Sequence, residues 1–212
     1  MKLRIWSLFL VVFLGSLSVG GCIAIHSGDA RLFDPYPPQA LQAKQAKPVT
    51  IAMETRYQLV GMATTDSMRQ SVVDNIEGLA EDIINETGYF RYAVDKKTAD
   101  YVLVMNVRDD GEPNLGLAFL SGLTLTILPA FAKDSFTITC ELRNQANNKI
   151  GERKIKQEVI TIIQFLMLFG TPFASPNQVI KQMWQQVLQD VTVWMNETII
   201  QERTPSVAVP VK

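Results

Sequence analysis

Between residues 136 and 163 the chain alternates twice, and that pattern leaves little choice of fold. Phe136, Ile138, Cys140 and Leu142 interleave with Thr137, Thr139, Glu141 and Arg143. Side chains two apart share one face of a strand, so this stretch reads as a strand buried on one side. Asn147 and Asn148 can take the positive backbone angles of a tight turn. Residues 150–163 then return as a second strand with Glu152, Lys154, Lys156 and Glu158 on one face. Cys140 points to the same side as Phe136 and Leu142, where a cysteine behaves as a small hydrophobe. A chain carrying this hairpin is built on a sheet, and its remaining segments must cover the apolar side.

Five further elements do so. Residues 49–59 read as a strand with Val49, Ile51 and Met53 on one face. Residues 67–87 place Met68, Val72, Val73, Ile76, Leu79, Ala80, Ile83 and Ile84 at three- and four-residue spacing, which predicts a helix begun near Asp66 or Ser67 and closed by Gly88. A short strand is expected over 89–94, a turn at Lys96 and Lys97, and a strand over 99–107 whose Tyr101 to Met105 run is apolar on both faces. Asp109, Asp110, Gly111 and Glu112 read as an acidic turn that lacks the ligand spacing of a calcium loop. Last comes a helix with Ser175 as N-cap, Pro176 at its first position, and Val179, Ile180, Met183, Trp184, Val187, Leu188, Val191, Met195 and Ile199 as its apolar stripe. The expected class is α+β: a mixed sheet of about five strands and two amphipathic helices. Two uncharged apolar segments, 115–132 and 159–175, flank the hairpin.

The beginning of the chain says where such a domain works. Lys2 and Arg4 precede an apolar run from Ile5 to Leu14, and small residues follow, as in a secretory leader. The run is too short for the roughly 20 residues of a membrane-spanning helix. It ends Val19-Gly20-Gly21-Cys22. These four residues resemble the lipobox of bacterial lipoproteins. The resemblance implies a leader over 1–21 that is removed and a Cys22 that carries a diacylglyceryl group on sulfur and palmitate or a similar chain on its new amino group. One acyl chain holds a protein only marginally to a bilayer, whereas two or three hold it firmly. Ile23 stands where an aspartate would resemble the inner-membrane retention signal, so the expected address is the periplasmic face of the outer membrane.

Residues 22–47, with Gly28 and the run Pro35-Tyr36-Pro37-Pro38, are expected to form a lipidated tether holding the domain off the membrane. The lone histidine, His26, falls there and reads as solvent-facing. Residues 48–201 form the folded domain and 202–212 a disordered tail. The 212 residues carry a formal net charge of -1, and loss of the leader removes two cations. No basic tract is present, which argues against nucleic acid as a partner. With Cys22 lipidated, Cys140 has no intramolecular partner, so no disulfide framework is expected.

Region 49–107 carries a second resemblance. A helix ending near Phe90, then a strand opening Ala99-Asp100-Tyr101, is similar to the small periplasmic domains of the TolB N-terminal, CsgG and LpoB kind. No nucleophile elbow, glycine-rich phosphate loop or paired metal-binding cysteines occur, which argues against an enzyme and against a cofactor beyond the covalent lipid. Two functions stay open, with a hydrolytic enzyme as a remote third. One is a non-catalytic adaptor or assembly factor docking on another envelope protein. The other, which the likeness to CsgG-type secretion lipoproteins permits, is an oligomerising, membrane-inserting component. The candidate contact residues are Leu117, Phe119, Leu120, Leu123, Leu125, Phe165, Leu166, Leu168 and Phe169. They either pack as core or meet a bilayer or a partner.

Overall fold

A computed structural model describes residues 21–41, 47–60, 65–113, 130–164 and 176–204. Six strands and two long helices follow the chain as β1 (Gly21–Gly28), β2 (Val49–Val60), α1 (Asp66–Glu86), β3 (Phe90–Tyr92), β4 (Tyr101–Pro113), β5 (Ala130–Asn144), β6 (Lys149–Gln164) and α2 (Pro176–Arg203). They form one mixed sheet in the order β1-β6-β5-β4-β2-β3. The α+β class is as the sequence suggests, with six strands in place of about five. The additional strand is β1, from the segment read as a tether.

Parallel neighbours need a crossover, and α1 supplies it between β2 and β3. Val49 pairs with Phe90 there, while on the other side Ile51 pairs with Tyr101 and the register runs on to Val60 opposite Asp110. The start of α1 is fixed by Thr65, whose hydroxyl accepts from the Met68 amide at 3.3 Å. Its end is fixed by Gly88, at φ +66°, a left-handed conformation that favours glycine. In the β5-β6 hairpin the expected turn forms, with Asn147 at φ +60° and the Asn144 amide donating to the Asn148 carbonyl at 3.0 Å.

The acidic turn does not form. β4 continues through Asp109 and Asp110 to Pro113 because β2 offers ladder partners as far as Val60. Asp109 is buried and accepts from the Tyr57 hydroxyl at 2.5 Å. Parts of the two uncharged apolar segments are strand. Residues 130–132 and 159–164 are strand residues of β5 and β6, and Val159 is fully buried.

By contacts the chain divides into two units. The first holds, among described residues, 21–26, 111–113, 130–134, 158–164 and 176–180. Within it Lys133 pairs with Glu158 at 2.9 Å. The second holds the rest and carries the main core. There α1 buries Ile76, Ala80, Ile83 and Ile84, and α2 buries Met183, Trp184, Val187, Leu188, Val191 and Met195. The inward face of the hairpin is Phe136, Ile138, Cys140 and Leu142, with Phe136 edge-on to Trp184 at 5.8 Å. Cys140 is the buried hydrophobe expected, and burial pushes its thiol up to about 12. At Gly151 the helix approaches so closely that a Cβ would lie 2.8 Å from Thr198 and 3.1 Å from Trp194.

Candidate functional site

Both helices lie on one face of the sheet, and the chain's chemistry separates accordingly. On the covered face a carboxylate sits in the core. Asp190 of α2 is fully buried and accepts from Arg153 of β6, Nη2 to Oδ2 at 2.7 Å and Nη2 to Oδ1 at 3.0 Å. Arg31, from the segment after β1, donates its Nε to Asp190 Oδ1 at 2.5 Å and reaches Glu197 with both terminal nitrogens. A buried lone carboxylate would be very costly, and two guanidiniums meet that cost with charge and geometry. The hydrogen bond to Glu197, followed by those to Asp190, holds the Arg31 guanidinium above its ordinary range against the effect of burial.

This clasp corrects the reading of 22–47 as a free tether. Among its described residues Ala24, Ala30 and Leu41 are buried. The Ala30 carbonyl accepts from Gln186 at 2.8 Å, and the Tyr36 hydroxyl donates to the Ile83 carbonyl at 3.2 Å. With its amide oriented by its neighbours, Gln157 donates to the Ser27 carbonyl and accepts from the Ala30 amide, each at 3.0 Å. Gly28 is required by close approach, since a Cβ would stand 2.4 Å from Gln157 and from the Lys156 carbonyl. α2 is therefore covered by the sheet on one side and this strap on the other, which is why 190–196 is buried without a break. His26 is half-buried in β1, with Nδ1 enclosed, and does not face solvent as expected.

Among the described residues no helix covers the other face of the sheet, which is polar beyond buried Ala52 and Val104. Its residues pair along and across strands: Arg56 with Glu54 at 2.6 Å, Lys96 with Glu54 at 2.8 Å, Arg143 with Glu141 at 2.8 Å, Arg108 with Asp110 at 3.0 Å, and Lys149 with Glu152. Hydrogen bonds from Lys96 and then Arg56 hold Glu54 below the usual carboxylate range, and Arg143 does the same for Glu141. A groove of about 290 Å³ crosses this face, lined by Arg56, Tyr57, Gln58, Asn106, Val107, Arg108, Thr137 and Thr139. Register places Arg56 opposite Asn106 and Gln58 opposite Arg108. Amide, hydroxyl and guanidinium groups in adjacent rows make a surface that can exchange hydrogen bonds with a partner.

The Ala99-Asp100-Tyr101 motif has a structural role at the start of β4. Asp100 Oδ2 accepts from the Thr50 amide and hydroxyl, each at 2.8 Å. Burial raises this carboxyl, but the bonds from Thr50, with Lys47 and Arg203 nearby, outweigh it and leave Asp100 below its ordinary value.

Cys22 lies in β1. The candidate contact residues Leu117, Phe119, Leu120, Leu123, Leu125, Phe165, Leu166, Leu168 and Phe169 lie outside the described residues, as does Ser175. Among the described residues no three His, Cys, Asp or Glu side chains are grouped to hold a metal, and no helix is long and apolar enough to cross a membrane. The sequence reading missed Arg31, Arg153 and Asp190. A signal for two of them was present, because Asp190 falls within the apolar stripe of α2 and Arg153 on the apolar side of β6.

No protein-family model matches the chain, nor does any curated protein. Several solved structures are similar in arrangement. A Helicobacter pylori protein described as a neuraminyllactose-binding hemagglutinin homolog is 11% identical, with 80% of this chain and 97% of that one covered and a TM-score of 0.46. A Xanthomonas campestris protein of the DUF330 family is 12% identical, covering 84% and 97%, also at 0.46. A minor lipoprotein from Acinetobacter baumannii is 15% identical, covering 74% and 96%, at 0.36. The TolB, CsgG and LpoB likeness has no counterpart among the family models or curated proteins. At such low identity and TM-score, no function passes from these neighbours to this chain.

Proposed function

We propose that this chain is a lipid-anchored cell-envelope protein that acts as a non-catalytic adaptor or assembly factor for another envelope protein. The observation that carries the anchor is the sequence Val19-Gly20-Gly21-Cys22 behind a short charged and apolar leader. What supports the adaptor role is the division of the sheet: one face closed by two helices, the other left open, polar and grooved. The partner docks on that open face, and Cys22 fixes the protein to the outer membrane on its periplasmic side.

A second reading is favoured by one feature of the chain. β4 ends at Pro113 and β5 begins at Ala130, β6 ends at Gln164, and these ends share a unit with Cys22. The residues that follow or precede them are the uncharged stretches carrying Leu117, Phe119, Leu120, Leu123, Leu125, Phe165, Leu166, Leu168 and Phe169. In this reading they enter the bilayer, and copies of the protein assemble there.

Fractionation of cells making the Cys22→Ser protein separates the two. Release into the soluble fraction supports the adaptor. Retention in the membrane pellet, with the leader removed, contradicts it and assigns membrane contact to the uncharged stretches.

A further inference from the structure

A lipoprotein whose lipid sits on a long flexible tether can stand well away from its membrane, but β1 does not allow that here. Cys22 is the second residue of β1, an edge strand of the sheet. Ala24, two residues on, is already buried, with 1% of its surface exposed. Two residues of extended chain span at most about 7 Å. The headgroup layer of one leaflet is itself roughly 5–7 Å deep. Ile25, next in the strand, is a large apolar side chain left 55% exposed. β1 has no room to fray away from the sheet at its other end, where Gly28 lies against Gln157 and the Asp29 amide donates to the Lys156 carbonyl at 2.9 Å.

We propose that the domain lies directly on the headgroup layer of the bilayer that holds the acyl chains of Cys22, with the β1 edge as its contact and Ile25 seated among the headgroups. This inference rests on the lipid-anchor reading above and adds the surface that meets the lipid. The anchor is thus continuous with the sheet, and the membrane fixes the orientation of the β1 edge. An apolar side chain at that depth is covered by lipid, which accounts for a large isoleucine left exposed beside buried Ala24.

The test uses the full-length lipoprotein with Ile25→Cys, labelled with bimane and reconstituted into phosphatidylethanolamine and phosphatidylglycerol vesicles. Some of the lipid carries a nitroxide on its headgroup. Ile25 is exposed, so the substitution spares the core, and Cys140 is buried and escapes the label. The expected result is loss of most of the bimane emission. A twelve-residue Gly-Ser insertion between Cys22 and Ile23, with a root-mean-square reach of about 20 Å, should restore it. Full emission from the uninserted protein, while it floats with the vesicles and carries its lipid by mass, overturns the flush contact and leaves the anchor standing. A protein with no lipid by mass that fails to float overturns the anchor reading itself, and this inference with it.

Discussion

The two faces of the sheet are made by the same strands, residue by alternate residue, yet they handle charge in opposite ways. On the covered face one carboxylate, Asp190, is fully buried and held by Arg31 and Arg153. On the open face the ion pairs of Glu54, Arg56, Arg108, Asp110 and Glu141 are numerous and solvated. Exposed pairs contribute about 0–1 kcal/mol each, whereas removing one partner of a buried pair costs about 3–5 kcal/mol. The count of ion pairs therefore points to the wrong face. Among the described ion pairs, stability depends most on the buried Asp190 cluster, and the pairs of the open face can change at little cost.

The contrast is sharpened first at β6. Arg153→Ala should destabilise the domain by about 3–5 kcal/mol in denaturant unfolding, because the buried Asp190 side chain loses most of its hydrogen-bond donors. A cost near that of a surface change would break the contrast. Next comes the strap over α2. Gly28→Ala forces a methyl against Gln157 and the Lys156 carbonyl, and overpacking of this kind costs about 1–3 kcal/mol, read as a lowered midpoint.

Asp100 is an intermediate case, half-exposed yet bonded twice by Thr50. Asp100→Asn should cost about 1–2 kcal/mol at neutral pH, as for a charge-assisted hydrogen bond. Its carboxyl lies below its ordinary value, as do those of Glu54 and Glu141. A lowered folded value means stability that is present above the unfolded pKa of 3.8 for Asp100 or 4.5 for the glutamates, and lost as pH falls through the folded one. Unfolding midpoints should therefore drop on acidification, and the gap between Asp100→Asn and the unsubstituted protein should narrow. Asp134, whose carboxyl is raised by burial, works in the opposite sense. The smallest effect is expected on the open face: Arg56→Ala should move stability by less than about 0.5 kcal/mol.

Much of this division was legible in the chain. Alternation in 136–142 showed which side of β5 turns inward, and Gly88, Asn147 and Pro176 marked ends and turns through backbone constraints that act locally. What escaped is what depends on distant partners. Residues 23–41 have a composition poor in periodic apolar positions, so they read as linker. Their order comes from Gln157, Gln186 and Asp190, all more than a hundred residues away. Asp109 and Asp110 read as a turn by local chemistry and became strand because β2 supplied ladder partners. For the site, polar residues in strand alternation revealed an open face, but the grouping of Arg56, Asn106 and Thr137 into one groove needs the strand order, which no single stretch encodes.

Everything said about where the domain works comes back to one sulfur atom, and the intact mass of the mature amino-terminal peptide reads it directly. A peptide that begins at Cys22 and carries a diacylglyceryl group, with or without an added amide-linked chain, is the expected result. A free thiol at Cys22, or a peptide still bearing residues 1–21, would contradict the lipid anchor and the membrane contact built on it.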